Sequence, residues 1–441
     1  MAIDIIARGM ASNSKENITA NEVKSKNNGN FSIICAKEHY YTSSRPVTEL
    51  YLIADPATND FFLTKDFKSK TKIFNLKENQ KYSFAILNNG DIVAIRNAVG
   101  LATNDARNDK LRVNPYCWLA SENWSIKHEI DFGDKIKPCG WLMNVGFVNL
   151  PDSSSVFCEY TRPTVKTANI WRITGDTINP DSWSVKYSFE VGDSNGLKHI
   201  HAVQYDWYAK VLYSTTGDAN LGAKCLYSRD NGETWTILKE NSQKYFRSLN
   251  FMFTEDTVYW ATDTTDPYQH FIFKAPRTED GLVDYDNVTD WIRLGMLGTA
   301  EYGYRAATYG IVLLEQLNVI IILDRQDVDD TYNYVQLRAI PLDATKISDI
   351  QELATLKTPD GSTKMIGFRT RYTEWFPEGN SIKMGFNFTR QTKLDTQVNY
   401  IDLFDNKGED QGTGENNINN LVFDFYKGVD GKIKFTPHTM Y

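Results

Sequence analysis

The chain has 441 residues, of which 41% are hydrophobic and 24% charged, the ordinary balance of a globular protein. Its net charge of −8 argues against a nucleic-acid partner bound by bulk electrostatics. No apolar run reaches the ~18–20 residues of a membrane span. The N-terminus lacks the basic start and long apolar core of a secretory signal. We therefore expect a protein with no membrane span, no nucleic-acid partner and no signal peptide.

Residues 1–30 differ in composition from the rest of the chain. A short apolar patch, residues 3–10, is followed by an Asn- and Lys-rich polar stretch with almost nothing to bury. Such a segment becomes ordered only against a partner or another copy of the chain. The sequence therefore predicts an N-terminal arm at 1–30 and one folded domain at 31–441.

From residue 31 onward, short strand patterns recur and long helical periodicity does not. Typical runs are FSIICAK, ELYLIAD, YSFAIL and TVYWATD, bounded by turn signals such as NNGD and DNGE. One short helical pattern, KISDIQELATL, covers residues 346–356. Aromatic residues make up 13% of the chain and favour strands over helices. The predicted fold class is all-β.

A tryptophan opens the last strand of a repeated four-strand unit. It recurs as Trp124, Trp183, Trp235 and Trp291, at spacings of 59, 52 and 56 residues. Four short strands in about 50 residues form one blade of a β-propeller. We count five to seven blades and predict six, with the 31–76 region and the C-terminal hairpin LVFDFYKGVDGKIKFTPH sharing a blade. That pairing closes the ring and removes exposed sheet edges.

The five cysteines are widely spaced and never occur as a CxxC pair, which argues against a disulfide framework or a zinc site. Several lie inside strand-like runs, so we expect buried free thiols and a protein made in a reducing cytoplasm. The sequence predicts no cofactor and no metal.

The sharpest motif is SRDNGETW, which fits the pattern Ser-x-Asp-x-Gly-x-x-Trp. Its defining positions are Ser228, Asp230, Gly232 and Trp235. Asp230 is expected to cap a tight hairpin, Gly232 to supply a positive φ, and Trp235 to fill the boundary between neighbouring blades. The motif resembles the Asp-box, or BNR repeat, of sialidase-like propellers. Enzymes and non-enzymes share it, so the resemblance implies a fold and a structural role for these four residues.

A sialidase-like enzyme would carry further features: an Arg-Ile-Pro segment, an arginine triad and a Tyr/Glu nucleophile pair. The nearest local match to the first is Ser44-Arg45-Pro46, which lacks the residue between Arg and Pro. No catalytic residues are therefore assigned, and the sequence favours a protein that is not an enzyme.

Several cationic side chains occur where the first strand of a unit begins, close to the expected axis of the ring. They are the candidate ligand-binding residues His199, His201, Arg247, Arg305, Arg369 and Arg371. Arginine forks recognise carboxylate or phosphate groups, so these residues could form an anion or sugar site. The alternative interpretation is that the arginines pair with nearby aspartates and Glu159 between blades. The two histidines also permit a metal, but no third ligand is visible.

At whole-chain level the sequence resembles bacteriophage tail or fibre proteins, on its MAIDIIARGMAS opening, its polar linker and its Asp-box domain. The resemblance implies a non-enzymatic virion protein whose residues 1–30 contact other virion proteins, and whose propeller recognises a host surface polysaccharide. Such a protein would form a homo-oligomer. A glycan-processing enzyme and an intracellular protein-binding scaffold are the alternatives.

Overall fold

We describe the protein from a computed structural model. The structure describes the following ranges: 4–6, 32–40, 46–55, 58–65, 69–76, 82–96, 112–142, 145–161, 165–192, 197–218, 221–262, 271–293, 311–326, 334–357, 364–375, 381–391 and 421–437.

Most of these residues belong to antiparallel sheets in which strands follow one another in chain order. A short N-terminal strand comes first: β1 (Asp4–Ile6). The first sheet contains β2 (Ser32–Tyr40), β3 (Pro46–Asp55), β4 (Asp60–Thr64) and β5 (Lys70–Asn75). The second contains β6 (Tyr82–Ile86), β7 (Ile92–Arg96), β8 (Tyr116–Trp118) and β9 (His128–Glu129). The third contains β10 (Phe147–Asn149), β11 (Ser155–Cys158), β12 (Thr167–Ile173) and β13 (Trp183–Glu190).

The remaining four sheets repeat the same arrangement. The fourth contains β14 (Leu197–Asp206), β15 (Val211–Asp218), β16 (Lys224–Ser228) and β17 (Thr236–Glu240). The fifth contains β18 (Ser248–Phe253), β19 (Thr257–Thr262), β20 (Phe271–Pro276) and β21 (Thr289–Arg293). The sixth contains β22 (Ile311–Leu314), β23 (Val319–Gln326), β24 (Tyr334–Pro341) and β25 (Gln351–Lys357). The seventh contains β26 (Lys364–Trp375), β27 (Ser381–Gln391), β28 (Leu421–Lys427) and β29 (Ile433–Pro437).

The seven sheets are the blades of a β-propeller. The first strands of neighbouring sheets contact each other. For example, β14 contacts β18, and β26 contacts both β22 and β2. The seventh sheet therefore meets the first, and the first strands form the inner wall of the ring. The propeller prediction is confirmed, and seven lies within the predicted range of five to seven, one blade above the predicted six.

The predicted closure of the ring is wrong. The 31–76 region forms a complete four-stranded sheet of its own, and the C-terminal hairpin pairs with β27, for example Ile382 with Phe425. No strand is exchanged between the first and last blades in the described residues. Each of the two segments already satisfies its backbone hydrogen bonds locally, so the blades meet by side-chain packing.

The N-terminal arm is partly integrated into the fold. Strand β1 adds a fifth strand to the outer edge of the sixth sheet, where Ile5 lies opposite Leu356 of β25. The sequence predicted an arm ordered only by another molecule, whereas residues 4–6 pair with their own chain. An outer strand leaves an unpaired row of backbone groups, and β1 covers part of it.

Helical structure is minor in the described part of the chain. The α-helix α1 (Gln243–Phe246) is four residues long, and short 3₁₀ turns occur elsewhere. The prediction of a helix over 346–356 is wrong. The segment begins with a 3₁₀ turn, Ile347–Asp349, and continues as strand β25. Pairing with β24 overrides the weak local helical preference.

The core lies between the blades. Successive sheets share clusters of buried apolar side chains, and the repeated tryptophans belong to them: Trp124 packs at the boundary of sheets one and two, Trp183 at that of two and three, and Trp235 at that of three and four. Trp291 packs against the sixth sheet instead and donates a hydrogen bond to the carbonyl of Ala344 at 2.8 Å. The repeated residue therefore marks blade boundaries. All five cysteines are buried and free, as the sequence predicted.

Candidate functional site

The candidate site lies where the first strands of the third, fourth and fifth blades begin. Four side chains meet there: Tyr160, which follows β11; His199 and His201 on β14; and Arg247, which precedes β18. We call them the histidine–arginine cluster.

His199 forms the partly exposed side of the cluster, and its imidazole lies against the buried ring of Tyr160. The ring centroids of Tyr160 and His199 are 3.8 Å apart with 32° between their planes. The Nδ1 atom of His199 lies 3.2 Å from the carbonyl oxygen of Thr161, which can only accept a hydrogen bond. This nitrogen therefore carries the proton and donates it to the backbone. The contact fixes the imidazole against the tyrosine.

His201 is the buried histidine of the cluster. Its side chain is 1% exposed, and its ring centroid is 5.0 Å from that of His199. Burial lowers the pKa of His201 well below its usual 6.5, and the nearby His199 and Arg247 lower it further. A hydrogen bond with the backbone of Ser248 acts in the opposite direction but does not offset burial. His201 is therefore neutral at pH 7.

Arg247 is placed by its neighbours in the chain. It follows α1, whose Phe246 is buried in the apolar cluster between the fourth and fifth blades. Its alkyl chain lies against Gly217 of β15: a Cβ atom at residue 217 would be 2.7 Å from Cγ of Arg247 and 3.0 Å from Cε1 of His201. Only glycine leaves room for both side chains. Sequence reasoning missed Gly217, and its only signal was a glycine at the end of a strand in STTGD.

A buried ion pair between Arg112 and Glu159 lies next to the cluster and holds the backbone that leads into Tyr160. Glu159, the residue before Tyr160, is fully buried and accepts hydrogen bonds from Arg112 at 2.7 and 3.0 Å. The same carboxylate accepts from the backbone N–H of Cys139 and the indole of Trp171, and twice from Asn169. Both oxygens are thus engaged in holding the chain around Tyr160.

Glu159 pairs with Arg112, which is none of the candidate arginines. Sequence reasoning paired Glu159 with them as an alternative and missed Arg112, which precedes β8 in the second blade. The two residues are 47 positions apart, so no local pattern connects them.

The remaining candidate residues are Arg305, Arg369 and Arg371. Arg369 and Arg371 lie on β26, the inner strand of the seventh blade. Arg305 lies outside the described residues. The structure therefore brings together His199, His201 and Arg247 from the predicted set. Within the described ranges, no three His, Cys, Asp or Glu side chains lie together as metal ligands would.

The SRDNGETW segment forms a tight hairpin between β16 and β17. The Ser228 hydroxyl donates to Asp230 at 2.8 Å and accepts from the N–H of Gly232 at 2.9 Å. Asp230 also accepts from the N–H and hydroxyl of Thr234, at 2.9 and 2.6 Å. Gly232 has a φ of +84°, and Trp235 is 8% exposed in the core between the third and fourth blades. The hairpin stabilises a blade boundary and is remote from the cluster at the strand starts.

Comparison with known proteins gives no family. No family model matches the chain, and no curated protein matches it. Among the described residues, no helix is long and apolar enough to cross a membrane.

Several solved structures are similar at low identity. A catalytically inactive virginiamycin B lyase from Staphylococcus aureus with quinupristin is 12% identical, with a TM-score of 0.42, over 81% of this chain and 93% of its own. An alpha-L-arabinofuranosidase from Lactobacillus brevis is 14% identical, with a TM-score of 0.37, over 66% and 91%. The SapL1 lectin in complex with alpha methyl fucoside is 11% identical, with a TM-score of 0.34, over 74% and 98%. The fold assignment rests on the sheets described above.

Proposed function

We propose that the protein is a non-catalytic β-propeller that binds an acidic glycan at the histidine–arginine cluster. The observation that carries the proposal is a row of neighbouring side chains from three successive blades. Tyr160 lies against His199, His199 lies beside His201, and His201 lies beside Arg247.

The chemistry of the cluster suits a sugar that carries a carboxylate. A guanidinium group recognises a carboxylate through two parallel hydrogen bonds. Arg247 and His199 are both partly exposed, so a ligand can reach them. The partly exposed imidazole of His199, held against the buried Tyr160 ring, offers an aromatic surface against which the C–H face of a sugar can pack.

The position of Glu159 supports binding over hydrolysis. A glycosidase needs a carboxyl group to donate a proton and a second group to act as nucleophile or base. Glu159 precedes Tyr160 in the chain, and its carboxylate oxygens accept hydrogen bonds from four residues of the fold. Because its oxygens are occupied by these hydrogen bonds, the Glu159 carboxylate serves the fold and does not contact a ligand.

The proposal is tested by measuring binding of acidic glycans, and of the same glycans with their carboxyl groups reduced, to the full chain. Arg247→Ala should weaken binding of the acidic form roughly 10- to 100-fold, the effect of losing a charged hydrogen-bonding group. Arg229→Ala is the matched control, since Arg229 is an exposed arginine that pairs with Asp280 away from the cluster. Binding that is unchanged in Arg247→Ala, or equal for the reduced glycan, would contradict the proposal.

The alternatives give different outcomes in the same experiment. An enzyme would release a smaller sugar or an altered product, which mass spectrometry of the recovered glycan detects. A protein-binding scaffold would bind none of the glycans. We expect the glycan to be recovered intact.

The virion setting is part of the proposal and is supported by the N-terminal sequence alone. In that setting residues 1–30 contact other virion proteins, the propeller contacts a host surface polysaccharide, and the protein is a homo-oligomer. Detection of the chain in purified phage particles tests it, and its absence from particles of a phage that encodes it would contradict it.

A further inference from the structure

A cleft of about 270 Å³ lies between the second and third blades. It is formed by the hairpin between β6 and β7, the hairpin between β10 and β11, and the turn that follows β12. These hairpins join first strands to second strands, whereas the histidine–arginine cluster lies where first strands begin. The cleft is therefore at the opposite end of the strands.

The walls of the cleft are fixed by hydrogen bonds across the two blades. The amide nitrogen of Asn88 donates to the carbonyl oxygens of Leu150 and Ser154, at 3.1 Å each. Asn89 donates to the hydroxyl of Thr177 at 3.2 Å, and Thr177 donates to Asp91 at 2.6 Å. Because these bonds already hold the lining residues, a ligand would meet a preformed site.

The cleft presents polar atoms beside apolar walls. The side-chain nitrogen of Asn88 donates to the two carbonyl groups, and this fixes the orientation of the amide. The side-chain oxygen of Asn88 can act only as an acceptor, and it accepts no hydrogen bond from the described residues. The Ser153 hydroxyl likewise makes no bond within the described part of the chain, where only the N–H of Ser153 is used. The exposed Pro151 supplies apolar surface at the same place, whereas the Leu150 and Ile173 side chains of the lining are buried.

The size and charge of the cleft limit the ligand. Its volume of about 270 Å³ lies just below the range of about 300–1,000 Å³ for drug-sized ligands. Every lining residue is uncharged. A charged ligand would lose its hydration there without gaining a partner of opposite charge.

We infer that this cleft binds a single neutral, polyhydroxylated ring, such as one uncharged sugar residue. The ring hydroxyls hydrogen-bond to the Asn88 oxygen and the Ser153 hydroxyl, and the C–H face packs against Pro151. This site is separate from the histidine–arginine cluster and does not depend on the acidic-glycan proposal.

Two matched variants test the site. Ser153 has a φ of +69°, so Ser153→Gly removes the hydroxyl in a conformation that glycine adopts easily. Lys210→Gly is the control: Lys210 has a φ of +56° in the corresponding hairpin of the fourth blade and does not line the cleft. Neither substitution should destabilise the fold.

Binding is measured by NMR on the full chain with labelled Ile and Leu methyl groups. The probes are methyl glycosides of neutral hexoses and deoxyhexoses, with methyl glucuronide as the charged comparison. We expect a neutral glycoside to shift the Leu150 and Ile173 methyl signals and methyl glucuronide to leave them unchanged. Ser153→Gly should weaken binding about fivefold, the effect of one neutral hydrogen bond, and Lys210→Gly should have no effect.

Three outcomes would overturn the inference: no neutral glycoside shifts these signals up to its solubility limit, methyl glucuronide binds as well as they do, or Ser153→Gly and Lys210→Gly bind equally. Arg247→Ala distinguishes the two sites. It should leave the cleft response intact even if it abolishes acidic-glycan binding, and a loss of the cleft response in that variant would also overturn the inference.

Discussion

The indole of Trp235 donates a hydrogen bond to the carbonyl oxygen of Gly232 at 3.2 Å. This bond joins the turn between β16 and β17 to the side chain that fills the boundary between the third and fourth blades. The conformation of the turn and the packing between the blades are therefore coupled. A substitution at either residue should affect both the turn and the blade boundary.

Trp235→Ala should lower the free energy of unfolding by about 3–5 kcal/mol, because it empties a large buried aromatic site. Asp230→Ala should cost less, about 1–2 kcal/mol, since Asp230 is exposed and loses turn hydrogen bonds only. Chemical denaturation of both variants measures the difference. Equal costs, or a loss below ~1 kcal/mol for Trp235→Ala, would show that the indole does not stabilise the boundary.

Gly232→Ala should be more destabilising than the same change at Gly431. Both glycines have a positive φ, +84° and +74°, which costs an alanine about 1–2 kcal/mol. At residue 232 the new Cβ would also be 2.9 Å from Cγ2 of Val156 in the third blade, whereas at residue 431 nothing lies within 4 Å. The difference in melting temperature between the two variants isolates the contact between blades. If they melt alike, Val156 moves aside without cost.

His201 should make the protein less stable in acid. Its pKa is depressed in the folded state, so between pH 6.5 and that lower pKa the unfolded chain binds a proton that the folded chain does not. Stability is full above pH 6.5 and falls below it by at most about 1.4 kcal/mol per pH unit. Denaturation at a series of pH values should show a shallower fall in His201→Gln. An unchanged pH profile in that variant would assign the dependence to other groups.

Arg112→Ala should destabilise the protein by about 3–5 kcal/mol, because it leaves Glu159 buried without its cation. Arg112→Met combined with Glu159→Gln should cost less than Arg112→Ala alone, since no charge remains buried. Because Tyr160 follows Glu159, the single variant should also weaken ligand binding at the cluster. If the double variant is less stable than Arg112→Ala, the ion pair stabilises the fold by more than the free energy that burying its charges costs.

Deletion of residues 1–30 should leave the propeller folded with a small fall in melting temperature, since only the three residues of β1 pair with the sixth blade in the described structure. Circular dichroism and thermal melting check this. Size measurement of the same deletion tests the predicted oligomer, which should dissociate. Loss of the β signal would mean that the arm is essential to the fold.

The sequence predicted blades where a local pattern repeats. Trp183 and Trp235 mark fourth strands, and the predicted units around them match the observed sheets closely. The first, sixth and seventh blades carry no such tryptophan in their described strands, and the sequence merged the first and the seventh into one. Which strands pair at the two ends of the chain depends on competing hydrogen-bond ladders, and short patterns do not specify the outcome.

The candidate site was predictable to a similar extent. Alternation along a strand placed His199 and His201 together, and the blade repeat placed Arg247 near them. Arg112 and Gly217 were missed because their roles come from tertiary contacts: one reaches a carboxylate in the next blade, and the other leaves space for side chains from two strands. The cleft between the second and third blades was missed for the same reason.

The four consecutive strands of every blade come from one continuous stretch of chain, and no strand is shared between the described first and last blades. Among the described strands, only β1 pairs with a distant stretch, at the edge of the sixth blade. Duplication of one in-frame segment of a gene would therefore add a whole blade, and loss of any blade but the sixth would leave every remaining hydrogen-bond ladder intact. Only the side-chain contacts at two boundaries would need to adjust, and core packing tolerates such adjustment when volume and patterning are kept. A ring assembled in this way can change its circumference in evolution by single steps.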